Sequence, residues 1–119
     1  MPAKIMIVDD EPLIRDLLCE FLTSQGYIAL LASSGEEALR LASESDLKLA
    51  LVDLRLPDLD GIEVIKRLKK ANPELICVII TAHPTPDSRQ QAKELGALAY
   101  LTKPFRLPEL QNLIQSALK

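Results

Sequence analysis

The chain has 119 residues, 48% of them hydrophobic and 26% charged, with a formal net charge of −3 at pH 7. That length holds one domain with one sizeable core and is short for two. The mild acidity, without a basic stripe interleaved with aromatics, argues against direct nucleic-acid binding, and no apolar run approaches the ~20 residues needed to cross a bilayer.

Met1-Pro2-Ala3-Lys4 leads straight into the apolar run Ile5-Met6-Ile7-Val8, which stops abruptly at Asp9-Asp10. A short aliphatic run of this kind is expected for a strand buried on both faces. Pro12 suits a first helical turn, and Ile14, Leu17, Leu18, Phe21 and Leu22 then recur at helical spacing until Gly26. Tyr27 to Ala32 reads as a second strand. Ser34, with Glu37 three residues on, reads as a capping box opening a helix through Ala38, Leu39 and Leu41.

Leu49-Ala50-Leu51-Val52 is a third strand pattern, and it too ends on an acid, Asp53. Leu54 to Leu59 contains Pro57 and is expected to be a loop, because proline removes a donor and restricts the residue before it. Asp60 with Glu63 then predicts a cap and box for a helix carrying Ile62, Ile65 and Leu68, closing near Asn72-Pro73. Cys77-Val78-Ile79-Ile80 is a fourth strand ending on Thr81. Thr85-Pro86 predicts an N-cap and first helical residue, with the helix stopping at Gly96. Tyr100-Leu101 marks a fifth strand, Lys103-Pro104 a turn, and Leu107 to Leu118 a last amphipathic helix. Cys19 and Cys77 are far apart with no CxxC spacing, so they read as packing or surface thiols of a reducing compartment. The Lys66, Arg67, Lys69, Lys70 run reads as the solvated face of the third helix.

Five strand–helix alternations predict an α/β fold: a parallel sheet with helices on both faces, joined by right-handed crossovers. Ligands of such sheets bind beyond the carboxyl ends of the strands, where strand order reverses. Asp9, Asp10, Asp53, Thr81 and Lys103 all fall at predicted strand ends. Three carboxylates brought together repel one another and raise at least one pKa unless a cation joins them. An oxygen-only donor set suits a hard ion, Mg²⁺ first and Mn²⁺ as its substitute. A lysine and a hydroxyl beside that ion complete a site for a phosphoryl group.

The segments Ile7-Val8-Asp9-Asp10-Glu11, Val52 to Gly61, Thr81-Ala82, Gly96-Ala97 and Tyr100 to Phe105 together resemble the receiver domain of bacterial two-component response regulators. The resemblance covers essentially the whole chain, taken as one domain over residues 1–119. It implies a flavodoxin-like, doubly wound sheet of order 2-1-3-4-5 with five helices, and a phosphoacceptor switch rather than an enzyme. By position, Asp53 resembles the acceptor of a phosphoryl group from a sensor histidine kinase or phosphotransfer protein. Asp10, Asp53 and the backbone carbonyl of Arg55 resemble the direct metal shell, with Asp9 acting mainly through water.

In the same way Lys103 resembles the phosphate-pairing lysine, followed by a cis bond to Pro104. Thr81 and Tyr100 resemble the coupled switch pair that moves the face of the fourth helix, fifth strand and fifth helix toward a downstream effector. Arg55 and His83 occupy positions that influence loss of the phosphoryl group, and Pro84 and Pro86 stiffen the stretch after Thr81. The segment Gly96 to Tyr100 lacks the acidic pair of receivers that dimerise through charged faces, which weakens the expectation of a phosphorylation-dependent homodimer. With no leader pattern, a cytoplasmic chain is expected, either a stand-alone receiver or the N-terminal part of a longer regulator. The rival readings are a phosphorylation-independent interaction module and an aspartyl-phosphate phosphatase of the haloacid dehalogenase type. The second places its nucleophile after the first strand, which does not match Asp53. The four glycines supply no GxGxxG or P-loop.

Overall fold

A computed structural model describes residues 2–119. The elements are β1 (Lys4–Val8), α1 (Pro12–Ser24), β2 (Ile28–Ala32), α2 (Gly35–Glu44), β3 (Leu47–Asp53), α3 (Gly61–Ala71), β4 (Ile76–Thr81), α4 (Pro86–Glu94), β5 (Ala99–Thr102) and α5 (Leu107–Ala117). The strands form one parallel sheet in the order β2-β1-β3-β4-β5, as expected. β1 is followed by a crossover to one side and β3 lies on the other, so the strand order reverses between β1 and β3.

The pleat divides each central strand between two cores. Ile5, Ile7, Leu49, Leu51, Val78 and Ile80 face α1 and α5, where Leu18, Leu22, Leu110 and Ile114 meet them. Met6, Val8, Ala50, Val52, Cys77 and Ile79 face the other helices and pack with Ala38, Val64, Ile65, Leu68 and Ala92. Burial on both faces explains why these strands read as unbroken aliphatic runs instead of alternating ones.

Caps set where the helices begin. Ser34 accepts from the Glu37 N–H at 3.1 Å and Asp60 from the Ile62 N–H at 2.8 Å. The two expected capping boxes are not closed in the expected way. Glu37 accepts from the Ser33 N–H at 2.7 Å, one residue before the cap, and Glu63 turns outward to pair with Arg67 at 3.0 Å. The full reciprocal box is at α4, where Thr85 and Ser88 each accept from the other's backbone N–H. Gly26 and Gly96 take φ of +90° and +76°, the left-handed conformation that ends α1 and α4 at little cost for a residue without a Cβ.

Candidate functional site

Register brings the chemistry to one edge. Val8 pairs with Val52 and Thr81 with Thr102, so Asp9 and Asp10 leave β1 beside Asp53, and Lys103 leaves β5 one residue beyond Thr81. The sheet ladder runs on into these residues: the Asp9 N–H donates to Ala32 O at 3.1 Å and the Lys103 N–H to Thr81 O at 2.8 Å. Backbone bonds of this kind fix where each side chain starts. The Lys103–Pro104 bond is cis.

Asp9 and Asp53 are buried and Asp10 is exposed, and one carboxylate oxygen from each lies within 4.8 Å of the other two. Lys103, whose side chain is 11% exposed, reaches across them. Its Nζ donates to Asp9 Oδ2 at 2.9 Å, Asp53 Oδ2 at 2.9 Å and Glu11 Oε1 at 3.1 Å, which uses all three of its protons. The remaining oxygens are also bound: Asp9 Oδ1 accepts from the Glu11 N–H and Asp53 Oδ1 from the Arg55 N–H, each at 3.0 Å. Arg15 adds a bond from Nη1 to the Asp9 carbonyl at 2.7 Å.

The charges are set by burial first. Burial pushes the Asp9 carboxyl above its ordinary range, a shift that the Glu11 N–H and Lys103 oppose and the neighbouring Asp53 reinforces. Burial alone would lower Lys103, but its bonds to Asp9 and Asp53 outweigh that and leave the ammonium held above its usual value. One cation among three clustered acids leaves net negative charge. This surplus and the oxygen-only donors fit a hard divalent ion, and no histidine or thiolate competes with it among the donors grouped there.

Thr81 is buried at the end of β4, where its Oγ1 accepts from the His83 N–H at 3.0 Å, leaving the hydroxyl proton free to donate. Tyr100 is half-buried on β5. Its hydroxyl lies 2.6 Å from Ser88 Oγ and 3.4 Å from the Thr85 N–H, and the Arg89 guanidinium lies 4.3 Å from its ring centroid. The Tyr100 phenol thus sits in the α4 capping box rather than in bonding contact with Thr81. The side chains of Arg55 and His83 are exposed at the rim.

The sequence reading assigned no part to Glu11, Asp58 or Ser88. Glu11 closes the Asp9-Asp10-Glu11 run, and its side chain shares Lys103. Beside the site runs a groove of about 450 Å³ lined by Ile14, Leu17, Pro104, Phe105 and Leu107, and on the same helix Leu13 is 81% exposed.

A doubly wound sheet with an acidic cluster, a lysine and a hydroxyl at its switch point defines a phosphoacceptor domain. The family model for the response regulator receiver domain matches residues 5–115, and the chain belongs to that family. It is 38% identical over 118 residues to sporulation initiation phosphotransferase F of Bacillus subtilis, spanning 99% of this chain and 95% of that one. Other curated relatives are longer, and the chain spans from 27% to 52% of their length. A CheY-like receiver domain protein from Methanospirillum hungatei superposes with a TM-score of 0.97 at 29% identity, covering 99% of this chain and 94% of that one. The response regulator TrrA of Thermotoga maritima, solved in complex with Mg²⁺ and BeF, superposes with a TM-score of 0.87 at 31% identity, covering 97% and 98%. The chain is therefore a receiver domain of two-component signalling, a phosphoacceptor switch. Among the described residues no helix is long and apolar enough to cross a membrane.

Proposed function

We propose that Asp53 is the phosphoacceptor, served by Asp9, Asp10, Thr81 and Lys103, and that the donor is a phosphohistidine of a sensor kinase or phosphotransfer protein. The observation that carries this is the placement of Lys103 Nζ between Asp9 and Asp53, at 2.9 Å from each, beside the three-carboxylate cluster. An oxygen of Asp53 attacks phosphorus, the N–P bond breaks, and the imidazole leaves with the bonding pair and takes up a proton. Each Asp53 oxygen accepts one hydrogen bond and keeps a lone pair for that attack.

Asp10, Asp53 and the Arg55 carbonyl are the groups that would hold Mg²⁺ directly, with Asp9 acting through water. Bound there, the ion would neutralise the phosphoryl oxygens as charge builds on them. Lys103 orients Asp53 before transfer and pairs with a phosphoryl oxygen after it. Thr81 donates its free proton to another of those oxygens. Tyr100 then favours an inward rotamer, which changes the α4–β5–α5 face that an effector reads. Arg55 and His83, exposed at the rim, set how readily water reaches the aspartyl phosphate. The groove beside the site, with Leu13, Ile14 and Leu17 on α1, suits an apolar surface of the donor.

Beryllofluoride binding tests this reading. In Mg²⁺ the wild type should bind the anion, with amide shifts spreading from Asp53 to Thr81 and Tyr100, and Asp53→Asn should not. Binding by neither would favour a phosphorylation-independent interaction module. Equal binding by both would remove Asp53 from its role.

A further inference from the structure

The loop between β3 and α3, residues 54–60, joins the phosphoacceptor to the start of α2. The first backbone N–H groups of a helix have no partner inside it. At α2 the Glu37 N–H is satisfied by its own cap, Ser34, but the two before it are satisfied from the loop. The Gly35 N–H donates to Asp58 Oδ1 at 2.8 Å and the Glu36 N–H to Asp58 Oδ2 at 2.9 Å. Both oxygens of one carboxylate are thus spent on a helix start that lies 22 and 23 residues earlier in the chain. The Glu36 and Gly35 N–H bonds hold Asp58 below the usual carboxylate range, so it is ionised at neutral pH.

The fit around this strap is close. A Cβ on Gly35 would stand 2.9 Å from Leu59 Cβ and Val64 Cγ2, so the loop and α3 lie against the helix start with no space between. At its other end the same loop meets the acceptor. The Arg55 N–H donates to Asp53 Oδ1 at 3.0 Å, the Gly61 N–H donates to Leu54 O at 2.9 Å, and Arg55 and Asp60 form an antiparallel bridge across the loop. Asp58 itself makes no hydrogen bond to Asp9, Asp10, Asp53 or Lys103.

We infer that Asp58 is a positioning residue for the phosphoryl and metal site, acting through the two bonds that fasten the β3–α3 loop to α2. They hold the Arg55 backbone, whose N–H donates to Asp53 and whose carbonyl would help hold the ion. The inference rests on the roles proposed for Asp53 and Arg55 and extends the site's support to the start of α2. Coupling of this kind is reciprocal, so filling the metal site should also steady the strap.

Mg²⁺ titration followed by amide shifts, in the wild type, Asp58→Ala, Asp58→Asn and Ser34→Ala, tests it. Asp58→Ala should raise the Kd for Mg²⁺ roughly tenfold, the low end of what losing a ligand-supporting partner costs. Asp58→Asn keeps one acceptor oxygen but turns an NH₂ toward the second N–H, and should give a smaller rise. Ser34→Ala weakens the same helix start without touching the loop, and should leave Kd unchanged. Hydrogen exchange at Gly35 and Glu36 should slow on Mg²⁺ addition in the wild type and in Ser34→Ala. An unchanged Kd in Asp58→Ala, or in Asp58→Asn if the alanine variant does not fold, would overturn the inference alone, as would an equal rise in Ser34→Ala. No Mg²⁺ binding by the wild type would overturn the reading of the site and this inference with it.

Discussion

Gly61→Ala sets two effects against each other. Gly61 is the first residue of α3, so alanine should gain up to about 1 kcal/mol of helix propensity. Its new Cβ, however, would lie 2.3 Å from the Asp53 carbonyl oxygen and 2.6 Å from Leu54 Cα. Those partners are backbone, held by the β3–β4 ladder at Asp53 and by the Gly61 N–H on Leu54 O, so no rotamer change relieves the overlap. Overpacking against backbone atoms costs about 3 kcal/mol, the upper end of the usual range, and the clash outweighs the propensity. The net loss of about 2–3 kcal/mol would lower the urea midpoint by ~1–2 M. A displacement taken up on the β3 side would move the Asp53 backbone, and phosphoryl acceptance should then slow as well. Gly35→Ala meets side-chain atoms at 2.9 Å, which can shift, and should cost less. A Gly61→Ala variant as stable as the wild type, or less harmed than Gly35→Ala, would refute the reasoning.

Lys103→Met should leave Asp9 and Asp53 without their cation and destabilise the metal-free protein by about 3 kcal/mol, the scale for breaking a buried pair. Urea unfolding in EDTA should show that loss and saturating Mg²⁺ should recover part of it; no loss in EDTA would contradict the arrangement. Asp58 has a depressed folded-state pKa, so the stability it contributes is present above the unfolded value of about 3.9 and lost as pH falls through the folded value. The stability difference between wild type and Asp58→Asn should therefore be constant from neutral pH down to about pH 4 and shrink below it; a difference that grows with acid would be the wrong sign. Burial pushes the Cys77 thiol up to about 11, whereas Cys19 is only half-buried. A thiol reagent at pH 8 should modify Cys19 well before Cys77, and equal rates in the folded protein would contradict the burial.

The sequence was most informative where a physical constraint acts on the residue itself. Strands buried on both faces must be aliphatic throughout, so the cores of β1, β3 and β4 were visible, as were the acids and Thr81 that end them. β3 extends further than expected because exposed Lys48 interrupts the apolar run while its backbone still continues the strand. Side-chain reach was less legible. Both Glu37 and Glu63 stand at the spacing for a capping box, yet Glu37 finds a donor one residue earlier and Glu63 finds Arg67. Asp58 and Ser88 act across the fold, one on α2 and one on Tyr100, and nothing in local spacing announces such partners. The role of Lys103 is legible from its place after β5, but Glu11 meets it from 92 residues away, a contact that no local pattern encodes.

The central claim, that Asp53 takes the phosphoryl group, is tested most directly by treating the protein with acetyl phosphate and Mg²⁺ and locating the label by mass spectrometry after borohydride trapping. The account predicts one phosphoryl group per intact chain and, after borohydride has reduced the aspartyl phosphate with loss of phosphate, homoserine in place of Asp53, both dependent on Mg²⁺ and absent from Asp53→Asn. Labelling of Asp53→Asn to the wild-type extent, or a label on another residue of the wild type, would contradict it.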